Sequence, residues 1–133
     1  MKIFLLVLLI SGYFCRGAES QAEECKIQSV LLKEIIEDVT EMKEKQGSLL
    51  VDNVITPKHC TLQNFCKAAA VLSKYKAEQL GLKEKEWRLP RTLIAYTRKT
   101  TCKVSPMAEQ VEFHQLLLNI KHCAQKEFRD PCV

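Results

Sequence analysis

Cysteine and histidine are the residue types in this chain that could carry out covalent or metal chemistry, and there are seven cysteines and three histidines. His59 precedes Cys60 and His122 precedes Cys123, and both residue types bind zinc. However, the Cys-Xaa-Xaa-Cys spacing of zinc sites is absent, as are the Gly-Xaa-Ser-Xaa-Gly, His-Glu-Xaa-Xaa-His and phosphate-loop motifs of enzymes. The sequence therefore predicts no catalytic activity, no metal and no cofactor, and it favours disulfides as the chemistry of the cysteines.

The N-terminus predicts the compartment in which those disulfides form. A positively charged start is followed by an apolar run from Ile3 to Ile10 and then by small and polar residues, which is the pattern of a secretory signal peptide. Cleavage after Gly17 and cleavage after Ala22 are both compatible with the small residues there, and either removes Cys15. We therefore expect a secreted, extracellular protein with three disulfides. The remaining cysteines are Cys25, Cys60, Cys66, Cys102, Cys123 and Cys132.

We assign residues 1–17 to the signal peptide and residues 18–133 to a single domain. Of the 20 basic residues, cleavage after Gly17 removes Lys2 and Arg16, so that 18 basic residues face 16 acidic ones. A net charge this small does not indicate nucleic acid as a partner. No second apolar stretch is long enough to cross a bilayer. We expect a soluble monomer with one hydrophobic core and no stable insertion into membranes.

Four stretches have apolar residues at helical spacing. In the second stretch Thr61 offers an N-cap hydroxyl, and Gly81 can adopt the left-handed conformation that ends a helix. The predicted helices run from Cys25 to about Gln46, from Cys60 to Gly81, from about Pro90 to Arg98, and from Pro106, capped by Ser105, to about Phe128. The predicted core face of the second helix contains Leu62, Phe65, Ala69, Leu72 and Leu80, and that of the fourth helix extends from Phe113 to Phe128.

The long connection between the first two helices bears on how they are arranged. Ser48 to Pro57 is rich in β-branched residues and has room for a short strand. A connection of this length lets successive helices run parallel, which favours an all-α bundle of four helices in up-up-down-down order. The last crossover is short for this order, because six or seven extended residues cover only about 23 Å. Either the third helix ends early and the fourth starts late, or the order is different.

Two helices carry a charged stripe, which in the first helix lies on the flank beside the apolar residues and in the third lies opposite to them. A solvated surface is the plain explanation for both stripes, although in the up-up-down-down order these two helices are neighbours whose stripes share a face. The acidic stripe on the first helix contains Glu34, Glu37, Asp38 and Glu41, and the basic stripe on the third contains Arg91, Arg98 and Lys99.

Three blocks of the sequence occur in an order and spacing that match a known family. Phe65-Cys66-Lys67-Ala68-Ala69-Ala70-Val71-Leu72 resembles Phe-Cys-Arg-Ala-Ala-Thr-Val-Leu in the second helix of that family. Leu32-Lys33-Glu34-Ile35-Ile36 resembles Leu-Gln-Glu-Ile-Ile in its first helix, and Cys102-Lys103-Val104 resembles the Cys-Pro-Val that opens its last connection. Leu49 to Ile55 is similar to the strand of its first crossover. The family is the interleukin-4/interleukin-13 cytokines, and the fish interleukin-4/13-like molecules are especially similar.

The resemblance implies both a fold and a function. The fold is a short-chain four-helix cytokine bundle, up-up-down-down, with a short strand pair in the long crossovers. The function is that of a secreted type 2 immune cytokine that activates cells such as B cells through kinase and STAT signalling. Its expected partners are an interleukin-4 receptor α-like chain and, as the second chain, either the common γ chain or an interleukin-13 receptor α-like chain.

The resemblance also implies disulfides and contact residues. The family pairs its first cysteine with its last and its helix-two cysteine with the one after helix three, which implies Cys25–Cys132 and Cys66–Cys102. The remaining pair is Cys60–Cys123, a departure from interleukin-4, whose third bridge joins two loops. The implied contacts to the first receptor chain are Glu34, Glu41, Arg91 and Arg98, with Arg91 preferred over Arg98 for the principal arginine by counting back from Cys102. Those to the second chain are Lys126, Phe128 and Arg129, although Phe128 is equally explained as a core residue.

A saposin-like secreted protein that binds lipid or disturbs membranes is the alternative. Such a protein is also helical and has six cysteines. Its cysteines usually begin as Cys-Xaa-Xaa-Cys, whereas Cys25 is followed 35 residues later by Cys60. Leakage of liposomes in the presence of this chain would favour the alternative.

Overall fold

The chain is mostly helical, with four α-helices and one short antiparallel strand pair in the part that the structure describes. The structure is a computed structural model, and it describes residues 23–42, 49–104 and 109–129. The predicted signal peptide, Ser105, Pro106 and Cys132 lie outside these ranges. The helices are α1 (residues 23–41), α2 (Leu62–Leu72), α3 (Leu89–Tyr96) and α4 (Phe113–Arg129), and the strands are β1 (Leu50–Asp52) and β2 (Gln110–Glu112).

Helix α1 buries the side that the apolar period predicts. Leu32, Ile35 and Val39 are buried, and Leu31 and Ile36 pack against the same core. The helix already includes residue 23, two residues before the predicted start. Its predicted end at Gln46 lies outside the described residues.

Helix α2 is shorter than predicted, and only its start is as expected. The Thr61 hydroxyl accepts a hydrogen bond from the Asn64 amide at 3.1 Å, as an N-cap does. The helix ends at Leu72, so the predicted continuation to Gly81 is wrong. After Leu72 the chain turns more tightly than an α-helix, because the Tyr75 backbone amide donates to the Leu72 carbonyl only three residues back. The Tyr75 carbonyl in turn accepts a 2.9 Å hydrogen bond from the Trp87 indole, which ties this turn to a distant segment.

Two short 3₁₀ turns connect α2 to α3. The first, Ala77–Leu80, ends at Gly81, whose φ of 68° is left-handed. Gly81 therefore ends a helical segment as predicted, but the segment is this 3₁₀ turn. The second turn, Glu84–Glu86, leads into Trp87, which is partly buried against the core.

Helix α3 agrees with its predicted face and ends two residues earlier than predicted. Pro90 lies in its first turn, where a missing N–H is tolerated. Leu89, Leu93 and Tyr96 are buried. At the end of the helix the Thr97 hydroxyl donates to the Leu93 carbonyl at 2.8 Å.

The prediction that the last helix begins at Pro106 is wrong, because residues 110–112 form a strand. Strand β2 pairs with β1 in an antiparallel register that places Val51 opposite Val111. Helix α4 starts immediately afterwards, and the Phe113 amide donates to the Leu49 carbonyl at 2.8 Å. Of the two sequence-based alternatives, an early end of the third helix and a late start of the fourth are what the structure contains.

Aromatic rings fill one part of the core. Phe113 is completely buried and packs against Tyr75 and Trp87, with ring centroids 6.0 and 5.9 Å apart. Phe65 meets Tyr96 edge-on at 5.3 Å. The fully buried aliphatic residues around the rings include Ile35, Ile55, Leu72, Leu89, Leu93, Leu116 and Ile120.

The prediction that Leu62 and Phe128 belong to the core is wrong. Leu62 is 43% exposed, because it occupies the first residue of α2, where the helix projects from the core. Phe128 is 41% exposed in the last turn of α4, although Ala124, one turn earlier, is completely buried. The core explanation of Phe128 is therefore excluded.

Candidate functional site

Two polar interactions connect α1 with α3 and the residues that follow it. One is an ion pair at one end of the contact, and the other is a hydrogen bond from a hydroxyl to a carboxylate at the other end. Near the start of α1, Glu24 forms an ion pair with Lys99, which lies just after α3. Near the end of α1, the Thr92 hydroxyl donates to an Asp38 carboxylate oxygen at 3.3 Å. The start of each helix therefore lies beside the end of the other.

The pKa values of Glu24 and Asp38 are shifted in opposite directions. The hydrogen bond from Lys99 and its positive charge lower the pKa of the exposed Glu24. Partial burial raises the pKa of Asp38, and the positive charge of Arg88 and the hydrogen bond from Thr92 offset this only in part. Burial thus decides the sign of the shift at Asp38.

The predicted contacts on α1 lie on its outer side. Glu34 and Glu41 are exposed and seven residues apart, which places them on one side of the helix. Glu41 lines a groove with Arg88 and Lys85, so it lies beside cations of the segment that enters α3. Among the described residues no ion pair joins Glu34 to Arg91 or to Arg98.

The predicted contacts on α3 are exposed but face different neighbours. Arg98 lies beside the start of α1, where it lines a groove with Glu24 and Ile27. Arg91 instead lines a groove with Leu82 and Trp87, on the side of the connection from α2. The structure therefore brings Arg98 close to the start of α1 and places Arg91 at the other end of α3, beside the connection from α2.

Sequence reasoning missed Arg88 and Thr92 as neighbours of α1, although Lys99 is part of the predicted basic stripe. Arg88, Thr92, Ala95 and Lys99 follow each other at spacings of four, three and four residues, which is a helical face in its own right. This face lies between the buried side of α3 and the side with Arg91 and Arg98. The spacing is readable in the sequence, and it would have indicated the packing partner of Asp38.

A shallow groove of about 60 Å³ opens between the starts of α1 and α2 and the end of α3. Its apolar part contains Ile27, which is 51% exposed, together with Leu31, Leu62 and Tyr96. Charged residues form its rim. Burial, with a smaller contribution from the charge of Glu127, raises the pKa of Tyr96 to about 12, so this phenol stays neutral and cannot act as a base. An apolar centre with a charged rim is typical of protein–protein interfaces.

The three predicted contacts to the second receptor chain do not all lie on the same side of α4. Lys126 and Arg129 line one groove of α4 together with His122 and Gln125. Phe128 is exposed, but at 100° per residue it lies about 160° from Lys126 around the helix. The structure therefore brings the two cations together and leaves the aromatic ring on another side.

Two disulfides have both cysteines among the described residues. Cys60 bonds to Cys123 and Cys66 bonds to Cys102, with Cα atoms 5.2 and 6.1 Å apart. Cys66–Cys102 is a pair that the resemblance implies, and Cys60–Cys123 is the remaining pair, which departs from interleukin-4. The other implied pair includes Cys132, which lies outside the described residues.

In the described parts of the chain, no three His, Cys, Asp or Glu side chains come together to hold a metal ion. Nor is any helix in those parts long and apolar enough to cross a membrane. Comparison with protein-family models, with curated proteins and with solved structures finds no match to this chain.

Proposed function

We propose that this chain is a secreted four-helix cytokine of the interleukin-4/interleukin-13 type. In this proposal the side formed by α1 and α3 binds an interleukin-4 receptor α-like chain. A surface of α1 and α4 binds the second chain, which is the common γ chain or an interleukin-13 receptor α-like chain. Binding of both chains would activate the receptor-associated kinases and STAT factors.

The observation that carries this proposal is which helix ends lie together. Cys60, just before α2, bonds to Cys123 in the second half of α4. Cys66, in the first half of α2, bonds to Cys102, which follows α3. The ion pair of Glu24 with Lys99 likewise joins the start of α1 to the chain after α3.

These contacts support the up-up-down-down order. If the start of one helix lies beside the end of another, the two helices run in opposite directions. By this reasoning α3 runs opposite to both α1 and α2, and α4 runs opposite to α2. The antiparallel pairing of β1 with β2 also supports this order, since the two strands lie in the connections that precede α2 and α4.

The surface of α1 and α3 has the composition that a receptor contact needs. Ile27 of α1 and the adjoining Leu62 at the start of α2 supply exposed apolar area, and Arg98 lies at its rim. Glu34 and Arg91 are exposed charges elsewhere on α1 and α3. A charged side chain that loses its water at the centre of an interface can cost about 2–5 kcal/mol when truncated, whereas a rim charge costs little. We therefore expect one or two of these charges to dominate binding.

The test is binding of the purified, oxidised protein to the soluble extracellular domain of an interleukin-4 receptor α chain from the same species. We expect the oxidised protein to bind and the reduced protein to bind much more weakly. Glu34→Ala and Arg91→Glu should each weaken binding by about thirtyfold or more without changing the helical content. Glu109→Ala and Lys74→Glu are matched controls on other exposed surfaces, and both should bind like the wild type.

The same assay separates the outcomes. Wild-type affinity in both the Glu34 and Arg91 variants would remove these residues from the proposed contact, and a loss in Arg98→Glu alone would transfer the role to Arg98. Absence of binding by oxidised, helical protein would contradict the receptor assignment. Liposome leakage by that protein would then favour the lipid-binding alternative.

A further inference from the structure

A line of basic residues runs along the outer side of α4. At 100° per residue His122, Lys126 and Arg129 lie within an arc of about 60°, and at 1.5 Å per residue they span about 10 Å. His122, Lys126 and Arg129 are all exposed. Glu127, which follows Lys126, lies on another side of the helix, where its charge acts on Tyr96, and Asp130, which follows Arg129, lies outside the described residues.

A second segment with basic residues packs against α4 at Asn119 and Cys123, next to this line by helical geometry. The Asn119 amide donates to the Ile55 carbonyl at 3.0 Å, and the Cys123 sulfur lies 3.3 Å from the Thr56 carbonyl oxygen. Together with the disulfide from Cys60 to Cys123, these contacts hold the turn of residues 56–59 against α4. The two outer residues of this turn, Lys58 and His59, are both exposed.

These cations differ from those that flank α3. There Lys99 is paired with Glu24, and Arg88 acts on Asp38, so the positive charge is balanced by α1. Within the described residues, no ion pair includes Lys58, Lys126 or Arg129. We call Lys58, His59, His122, Lys126 and Arg129 the α4 basic cluster, in which Lys58, Lys126 and Arg129 carry positive charge with no acidic partner among the described residues.

We propose that the α4 basic cluster binds a sulfated polysaccharide. A row of cations along one helix matches a linear chain with repeated sulfates, and arginine can donate two hydrogen bonds to such an oxyanion. The four residues that line the groove, His122, Gln125, Lys126 and Arg129, are all polar. Disulfides persist in oxidising compartments outside the cytosol, where sulfated polysaccharides occur.

Two other polyanions fit less well. Single-stranded nucleic acid is bound with aromatic side chains that stack on the bases, and none lines this groove. An anionic membrane needs bulky apolar side chains beside the cations. Of the exposed apolar residues of α4, Leu118 lies one turn before His122 in the same arc, whereas Phe128 lies about 100° or more from each residue of the line, so a single leucine adjoins the basic residues. Lipid vesicles are therefore the second arm of the test.

This inference does not depend on the proposed cytokine function, because the polysaccharide is bound by the chain alone. The two proposals meet at Lys126 and Arg129, which are also expected contacts to the second receptor chain. A bound polysaccharide would cover that surface and leave the α1 and α3 side open.

The test measures binding of the full oxidised chain to immobilised heparin over a series of salt concentrations. We expect Lys126→Gln/Arg129→Gln to lower the affinity by on the order of tenfold or more at about 0.15 M salt. The dependence of log affinity on log salt should lose about two units of slope, since two fewer counterions are released. Lys33→Gln/Lys74→Gln removes the same charge from other exposed positions and should change the affinity by less than about twofold.

Four results would overturn the proposal. The wild type could fail to bind heparin at about 0.15 M salt, or the double variant of α4 could bind as tightly as the wild type while keeping its helical circular dichroism. Equal binding to desulfated heparin would show that sulfate is not recognised. Binding to phosphatidylserine vesicles without binding to heparin would assign the surface to lipid instead.

Discussion

The two ends of the helical bundle are stabilised in different ways. At one end, which we call the bridged end, two disulfides and the ion pair of Glu24 with Lys99 join the helices. At the other end, which we call the aromatic end, the buried Phe113 packs between Tyr75 and Trp87, and Thr92 is hydrogen-bonded to Asp38.

Both ends display apolar side chains, since Ile27, Leu62 and Phe128 are exposed at the bridged end and Leu50 is exposed at the aromatic end. The difference lies in what joins the elements. At the bridged end the two disulfides constrain the unfolded chain, whereas the aromatic end gains stability from the burial of Phe113. Both proposed binding surfaces include residues of the bridged end.

The largest expected effect is loss of the cross-link at the bridged end. Because the Cys60–Cys123 disulfide joins residues 63 positions apart, Cys60→Ala/Cys123→Ala should lower the free energy of unfolding by about 4 kcal/mol. Denaturant unfolding of the oxidised proteins measures this. A loss below about 1 kcal/mol would mean that packing alone holds this end.

The next effect tests the aromatic end. Phe113→Leu removes the ring that contacts Tyr75 and Trp87 and should cost about 2 kcal/mol, with a change in Trp87 fluorescence. Phe128→Leu is the matched control on the same helix, and because Phe128 is exposed it should cost less than about 0.5 kcal/mol. Equal losses in the two variants would contradict the contrast between the ends.

A smaller effect is expected in the connection that leads to the aromatic end. Gly81→Ala should cost about 1 kcal/mol, because its φ of 68° is strained for a residue with a Cβ atom. No atom lies within 4 Å of where that Cβ would be, so the cost is conformational and not steric. Gly81→Asn should recover part of the loss, since asparagine tolerates this conformation better. If asparagine and alanine were equally harmful in thermal unfolding, backbone strain would not be the cause.

The smallest effects concern Glu24 and Asp38 of α1, whose contributions to stability change with pH in opposite directions. Burial raises the pKa of Asp38 in the folded state, so the folded protein binds more protons than the unfolded one just above the ordinary carboxyl pKa of 3.8. The contribution of Asp38 to stability therefore falls as pH rises through this window. Asp38→Asn should match the wild type in acid and become slightly more stable than it towards neutral pH.

Glu24 at the bridged end should behave in the opposite way. Its hydrogen bond and charge interaction with Lys99 lower its pKa, so its contribution is present above the ordinary carboxyl pKa of 4.5 and is lost as pH falls. Glu24→Gln should lose a small amount of stability near neutral pH and none in acid. Thermal unfolding from about pH 3 to pH 7 measures both variants, and pH dependences of the same sign would contradict the assignment.

Local patterns in the sequence predicted four helices, most of their buried residues and the N-cap of α2. The apolar period located Ile35 and Leu93 in the core, and residue types alone indicated the N-cap at Thr61 and the left-handed Gly81. The exposure of Glu34 and Arg91 was also readable from that period. These features depend on neighbouring residues in one chain segment, which is why the sequence is sufficient for them.

The boundaries and neighbours were decided by tertiary structure. The Trp87 indole donates a hydrogen bond to the Tyr75 carbonyl, just after the end of α2. Pairing with β1 keeps residues 110–112 extended, so α4 starts only at Phe113. The separation of Arg91 from Arg98 also depends on which segment packs beside each. A period along one helix records which side is buried, but a hydrogen bond or strand pair between distant segments forms only when the fold brings both partners together.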